Sequence, residues 1–95
     1  MLPTNRPPTH PGEILNEEFL KPKGWTQEHV AKTLGISLQR VNGVVKERRA
    51  VTAETALLLA RLTETSPQFW MNLQTNYDLW HAREALKKKE SAAMA

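Results

Sequence analysis

Apolar positions along the chain recur at helical spacing in five segments. In the first, Ile14, Leu15, Phe19 and Leu20 make an i, i+4 and i+5 stripe. Pro11 suits the opening turn there, Glu13 suits the positive end of its dipole, and Pro22 and Gly24 are expected to end it. The second and third segments are short: Val30 and Leu34 share one face, and Val41 and Val44 form an inward i, i+3 pair. The fourth, TAETALLLARLT, is capped by Thr52, and Ala56, Leu57, Leu59, Ala60 and Leu62 make it a largely buried helix that closes the core. Ser66 and Pro67 open the fifth, a long helix in which Phe69, Leu73, Tyr77 and Trp80 recur at four, four and three residues. The pattern predicts an all-α, five-helix domain over residues 9–86 with a long C-terminal helix. A proline-bearing arm (residues 1–8) and a fraying tail, KKKESAAMA (residues 87–95), are expected to flank it as flexible segments.

The two short central segments have the spacing of a helix-turn-helix. Thr26 can cap the first helix, whose opening turn carries Gln27 and Glu28. Ala31 is small enough to let a second helix cross closely, and Gly35 can take the left-handed conformation of a helix end without steric cost. Ile36 fills the corner and Ser37 caps the second helix. Val30, Ala31, Gly35, Val41 and Val44 are thus the expected core of the motif, while Gln39, Arg40, Asn42, Gly43 and Lys46 face outward. Gly43 within a helix costs about 1 kcal/mol relative to alanine, or else permits close approach to DNA.

That outward face suits the major groove, which admits a helix and displays a distinct donor and acceptor pattern for each base pair. Gln39 is the first choice for base reading, because a glutamine amide pairs bidentately with adenine. Arg40 or Lys46 can reach guanine, and Asn42 can take either polar role. Gln27 and Ser37 are expected on phosphate, and Arg48 and Arg49, just beyond the helix, on the DNA backbone. A merely solvated charged surface is the less favoured account of Arg40, Lys46, Arg48 and Arg49, because they coincide with the motif.

Charge and composition narrow the classes further. The formal net charge is +3 and the pI about 9.5, and the basic excess is concentrated in Arg40, Lys46, Arg48 and Arg49, which favours a polyanionic partner. With 95 residues and no cysteine, the chain can form one small core without disulfides, thiol catalysis or cysteine-zinc sites. No apolar run approaches the ~20 residues that span a bilayer, and MLPTNRPPTH lacks the apolar segment of a signal peptide, so a cytoplasmic, membrane-free protein is expected. An enzyme is not: His10, His29 and His81 are isolated and read as surface or capping residues, no metal or phosphate-loop motif is present, and no cofactor is implied. Glu17 and Glu18 point about 100 degrees apart on a helix and make no acid/base pair.

A domain this small has little room for all its rings. Phe69 and Leu73 are expected in the core, and Trp70, Tyr77 and Trp80 at an interface with a second subunit, or alternatively with a different protein. A homodimer predicts a pseudo-palindromic double-stranded operator with half-sites about 10 base pairs apart.

The chain resembles the HigA/VapI group of antitoxins, members of the Xre class of phage-repressor-like helix-turn-helix proteins, over about residues 9–85. The matching motifs are HPGEIL (from His10), EEFL (from Glu17), TQEHVAKTLGIS, RRAVTAETALLLA and, most specific, TSPQFWMNLQTNYDLW. The resemblance implies a bacterial protein that neutralises a cognate mRNA-cleaving toxin of HigB type and represses their shared promoter as a dimer. The alternatives are a stand-alone repressor and a helix-turn-helix used only for protein contacts. One departure is that Asn-Gly, often found after the recognition helix in similar proteins, is replaced by Lys46 and Glu47, so the turn is expected to differ in shape or the helix to run longer.

Overall fold

The computed structural model describes residues 7–94; residues 1–6 of the expected arm and the last residue of the expected tail lie outside them. Among the described residues there are five helices and no strand. Helix α1 covers residues 11–23, made of an α-turn (Pro11–Ile14), a widened π stretch (Leu15–Leu20) and a final α-turn (Lys21–Lys23). Then come α2 (Gln27–Leu34), α3 (Leu38–Val45), α4 (Ala53–Thr63) and α5 (Pro67–Met94).

Local chemistry accounts for the boundaries. Thr26, Ser37 and Thr52 each hold an extended backbone and accept a hydrogen bond from the backbone N–H three residues on, at 3.0, 3.1 and 3.3 Å. Four helices end in a residue of left-handed conformation: Gly24, Gly35, Glu47 and Glu64. After each, the next N–H reaches the carbonyl five residues back: Trp25 to Leu20, Ile36 to Ala31, Arg48 to Gly43 and Thr65 to Ala60. Lys46 and Glu47 therefore make the same left-handed turn that Asn-Gly would make, with Glu47 at φ 62°. A side chain there carries a cost of about 1 kcal/mol or more that glycine would avoid.

Some expectations about the helices need correction. Pro22 does not end α1, which runs on to Lys23 and stops at Gly24. The helix is widened just ahead of the proline, where a regular α-helix would press the ring against the carbonyl four residues back. Leu57 is exposed, and the buried face of α4 is Thr55, Ala56, Leu59, Ala60 and Thr63. The buried Thr63 hydroxyl donates to the Leu59 carbonyl at 2.7 Å, which lets a polar residue occupy a core position. Finally, residues 87–94 continue α5 as helix, although the side chains from Lys87 to Ala93 are all exposed.

The core joins Leu15 and Leu20 of α1, Val30 and Ala31 of α2, Val41 and Val44 of α3, Val51, Ala56, Leu59 and Ala60 at α4, and Trp70 of α5. Trp70 is fully enclosed; its ring meets Phe19 and Phe69, and its indole N–H donates to Thr65 Oγ1 at 2.9 Å. Both expectations are corrected: Phe69 is 39% exposed rather than core, and Trp70 is core rather than an interface residue. An indole can be wholly enclosed here because a hydroxyl meets its polar edge.

Helix α1 is held against the motif by the residues at its start. His10 is buried, and its Nδ1 accepts from the Gly12 N–H at 2.9 Å, capping the helix. Its ring stands edge-on to Tyr77 of α5, with centroids 4.7 Å apart. Gly12 sits on the Val44 carbonyl of α3 so closely that a Cβ would overlap it. Gly12→Ala is accordingly expected to cost about 2–3 kcal/mol, the scale of overpacking a close contact. A urea midpoint unchanged from that of the parent chain would show that α1 and α3 are not in this contact.

Burial holds the His10 imidazole below the ordinary histidine range, and the carboxylates of Glu47 and Asp78 only partly oppose this. Above pH about 6.5 the ring is neutral in both folded and unfolded chains, and the cap contributes fully. As pH falls, the unfolded chain binds a proton before the folded one does, so stability drops from about 6.5 down to the lowered folded value. His10→Asn, a cap that does not titrate, should give a flatter urea midpoint between pH 7.5 and 5.5; an unchanged slope would assign the loss to other groups.

Candidate nucleic-acid interface

The turn between α2 and α3 exposes the first half of α3. Val41 and Val44 turn one side of that helix into the core, so the positions on the other side line an open groove of about 520 Å³ bounded by Gln27, Glu28, Leu38, Gln39 and Asn42. Gln39 is exposed in it. Asn42 is half-buried and donates from Nδ2 to Gln27 Oε1 at 3.1 Å, tying the two helices across the groove. This bond uses the Gln27 carbonyl and leaves its amide N–H groups to donate. Ser37 Oγ is occupied as the acceptor in its cap, so only its hydroxyl proton is available to a phosphate.

Arg40 lies elsewhere. Its guanidinium reaches across to the start of α4, donating to Thr55 Oγ1 at 3.0 Å and Thr52 Oγ1 at 3.4 Å, with Nη1 3.0 Å from Glu54 Oε1. Four positions before the buried Val44, residue 40 falls on the flank of α3 facing α4 rather than on the groove side. Arg40 is therefore a clamp between the two helices, which corrects its assignment to guanine reading.

Beyond α3, Lys46, Arg48 and Arg49 are exposed and form no ion pair among the described residues. Gly43 is buried beneath the stem of Arg49, whose Cγ and Cδ would lie 2.9 Å from a Cβ there. The backbone N–H of Arg49 also returns to the Gly43 carbonyl at 3.0 Å. The absent side chain at Gly43 thus makes room for Arg49, and α3 runs through it unbroken.

Comparison with known proteins places this geometry. The helix-turn-helix family (HTH_3) matches residues 17–70. Virulence-associated protein I of Dichelobacter nodosus is 49% identical over 78 residues, covering 82% of this chain and 72% of that one. The chain belongs to the HigA/VapI group of Xre-class helix-turn-helix proteins. Antitoxin HigA-1 of Vibrio cholerae is 34% identical over 94% of this chain and 84% of its own length. The solved Pseudomonas aeruginosa antitoxin HigA with higBA promoter superposes with a TM-score of 0.83 at 44% identity, covering 86% of this chain and 89% of that one. The group is one of DNA-binding regulators and antitoxins, not a known class of enzyme.

Within this HigA/VapI fold the remaining aromatics divide. Tyr77 and Trp80 of α5 are half-buried and both lie against His81, with centroids 4.3 and 5.0 Å away. Sequence reasoning missed Leu38 and Glu28 as groove residues, and it missed Gln74. The latter is buried, accepts from the Val51 N–H at 2.8 Å, and donates to Asp78 Oδ1 at 2.8 Å. The signal for Leu38 was its place directly after the Ser37 cap; for a buried glutamine there was none. None of the helices among the described residues is long and apolar enough to cross a membrane.

The Arg40 clamp has two parts of unequal weight. Glu54 is largely exposed, so its ion pair is worth little, whereas the part-buried bond to Thr55 is worth about 1 kcal/mol. Arg40→Met should therefore lower unfolding stability by about 1 kcal/mol and Glu54→Gln by less than about half of that, measured by urea denaturation. Equal losses would place the weight on the ion pair instead.

Proposed function

We propose that this protein is a cytoplasmic, operator-binding antitoxin that neutralises a toxin encoded beside it, an mRNA-cleaving ribonuclease of HigB type, and represses their shared promoter as a homodimer. The observation that carries the reading is the open groove of α2 and α3, which presents Gln39 and Asn42 and has Lys46, Arg48 and Arg49 exposed just beyond α3, in a chain of the HigA/VapI group. In this reading α3 enters the major groove, Gln39 and Asn42 meet base edges, and Lys46 reaches guanine or phosphate. Gln27, the Ser37 hydroxyl, Arg48 and Arg49 hold the DNA backbone, which orients the protein without selecting sequence. Arg40 acts indirectly, by fixing the angle between α3 and α4.

The second copy is assigned to α5, where Tyr77 and Trp80 keep part of their rings in solvent. Two-fold pairing there presents two α3 helices to a pseudo-palindromic site. A stand-alone repressor is the alternative, since the groove supports DNA binding and says nothing of a toxin.

The test has two arms. Expressing the neighbouring small gene should arrest growth, and co-expressing this chain should relieve the arrest; an intact neighbour that arrests nothing would leave the stand-alone repressor. In gel shifts on DNA upstream of the gene pair, Gln39→Ala should lose about 1–3 kcal/mol of discrimination at one base pair per half-site. Equal loss on cognate and scrambled DNA would remove Gln39 from base reading.

A further inference from the structure

We propose that Leu38 reads the 5-methyl group of a thymine, making an apolar contact the specificity element beside the amides of Gln39 and Asn42. The inference rests on the operator-binding reading above and deepens it. Leu38 is the first residue of α3 and is 44% exposed, although it is as large and apolar as the residues of the core. It is not among the residues of the core: Val30, Val41 and Val44 are buried there, and Leu34, Ile36 and Val45 are the partly buried residues of this region packed against them. Instead it lines the open groove together with Gln27, Glu28, Gln39 and Asn42.

The chemistry of that groove identifies what Leu38 meets. Gln39 and Asn42 give the lining amides that can pair with base edges, and Leu38 gives it an apolar surface beside them. Among the groups that base pairs display in the major groove, the thymine 5-methyl is the apolar one, and contact with it takes both partners out of water. Ser37 fixes Leu38 at the helix start by capping α3, and the Gln27–Asn42 bond holds the two walls of the groove at a set separation. An exposed leucine on rigid backbone, between amides that read donors and acceptors, is suited to distinguish thymine from cytosine at one step.

The experiment removes only the methyl group. In the protected DNA upstream of the gene, each thymine is replaced in turn by deoxyuridine, which keeps every hydrogen-bonding group. The parent chain should lose about three- to fivefold in affinity at one position per half-site, the worth of one buried methyl. Leu38→Ala should bind the thymine and uracil forms equally there, and Leu38→Met should retain the preference. A urea midpoint close to that of the parent chain would show that the variants are folded. The proposal falls if no position is sensitive in the parent chain. It also falls if Leu38→Ala keeps the full sensitivity, because the methyl would then act through DNA shape or another residue. Specific binding of the unmodified site that depends on Gln39 keeps the operator reading intact in either case; absence of specific binding overturns both.

Discussion

The contact between Gly12 and the Val44 carbonyl holds α1 against α3, the helix that carries Leu38, Gln39 and Asn42 into the groove. Helix α3 is only eight residues long, too short to be stable by itself in water. Its inner side is seated by Val41 and Val44, its flank is clamped by Arg40, and its far end is pressed by α1 at a point where no side chain intervenes. Backbone-to-backbone contact of this kind tolerates almost no displacement, because there is no rotamer to absorb it. His10 and Pro11 serve the same end: one caps α1 and the other starts it, so that Gly12 arrives at Val44 with a defined angle. An anchor of this sort matters for base recognition, where hydrogen-bond partners must be placed to within a fraction of an ångström.

The helix-turn-helix was legible in the sequence because its determinants are local. Caps at Thr26, Ser37 and Thr52 act three residues away, and Gly35 acts on its own backbone. What was hidden depends on the third dimension. Residue 40 looked like a base reader by charge, yet its position relative to Val44 turns it to α4, where two threonines of a separate helix await it. Phe69 and Trp70 are neighbours with similar hydrophobicity, and only Thr65, poised to accept the indole N–H, makes the larger ring the better core residue. The buried glutamine at position 74 carries a residue type that belongs on surfaces; its partner, the Val51 N–H, lies 23 residues earlier.

The presence of Glu47 where similar proteins often carry glycine illustrates how strongly the surrounding structure overrides local preference. Two N–H groups, those of Arg48 and Arg49, converge on the Gly43 carbonyl, and this pair closes the turn whatever side chain it contains. The strain is confined to one residue, immediately beside the basic segment that the proposed function places on the DNA backbone.

Gln74 bears on the dimer that the proposed function calls for. Steadied on its own helix by Asp78, it accepts from the Val51 amide and so joins the segment between α3 and α4 to the shaft of α5. In the dimer proposed above, with α5 as the joint, this bond would tie each α3–α4 connection to that joint, as the arms of a calliper are tied to its hinge. Selection among DNA sites would then begin with their spacing, before any base edge is touched.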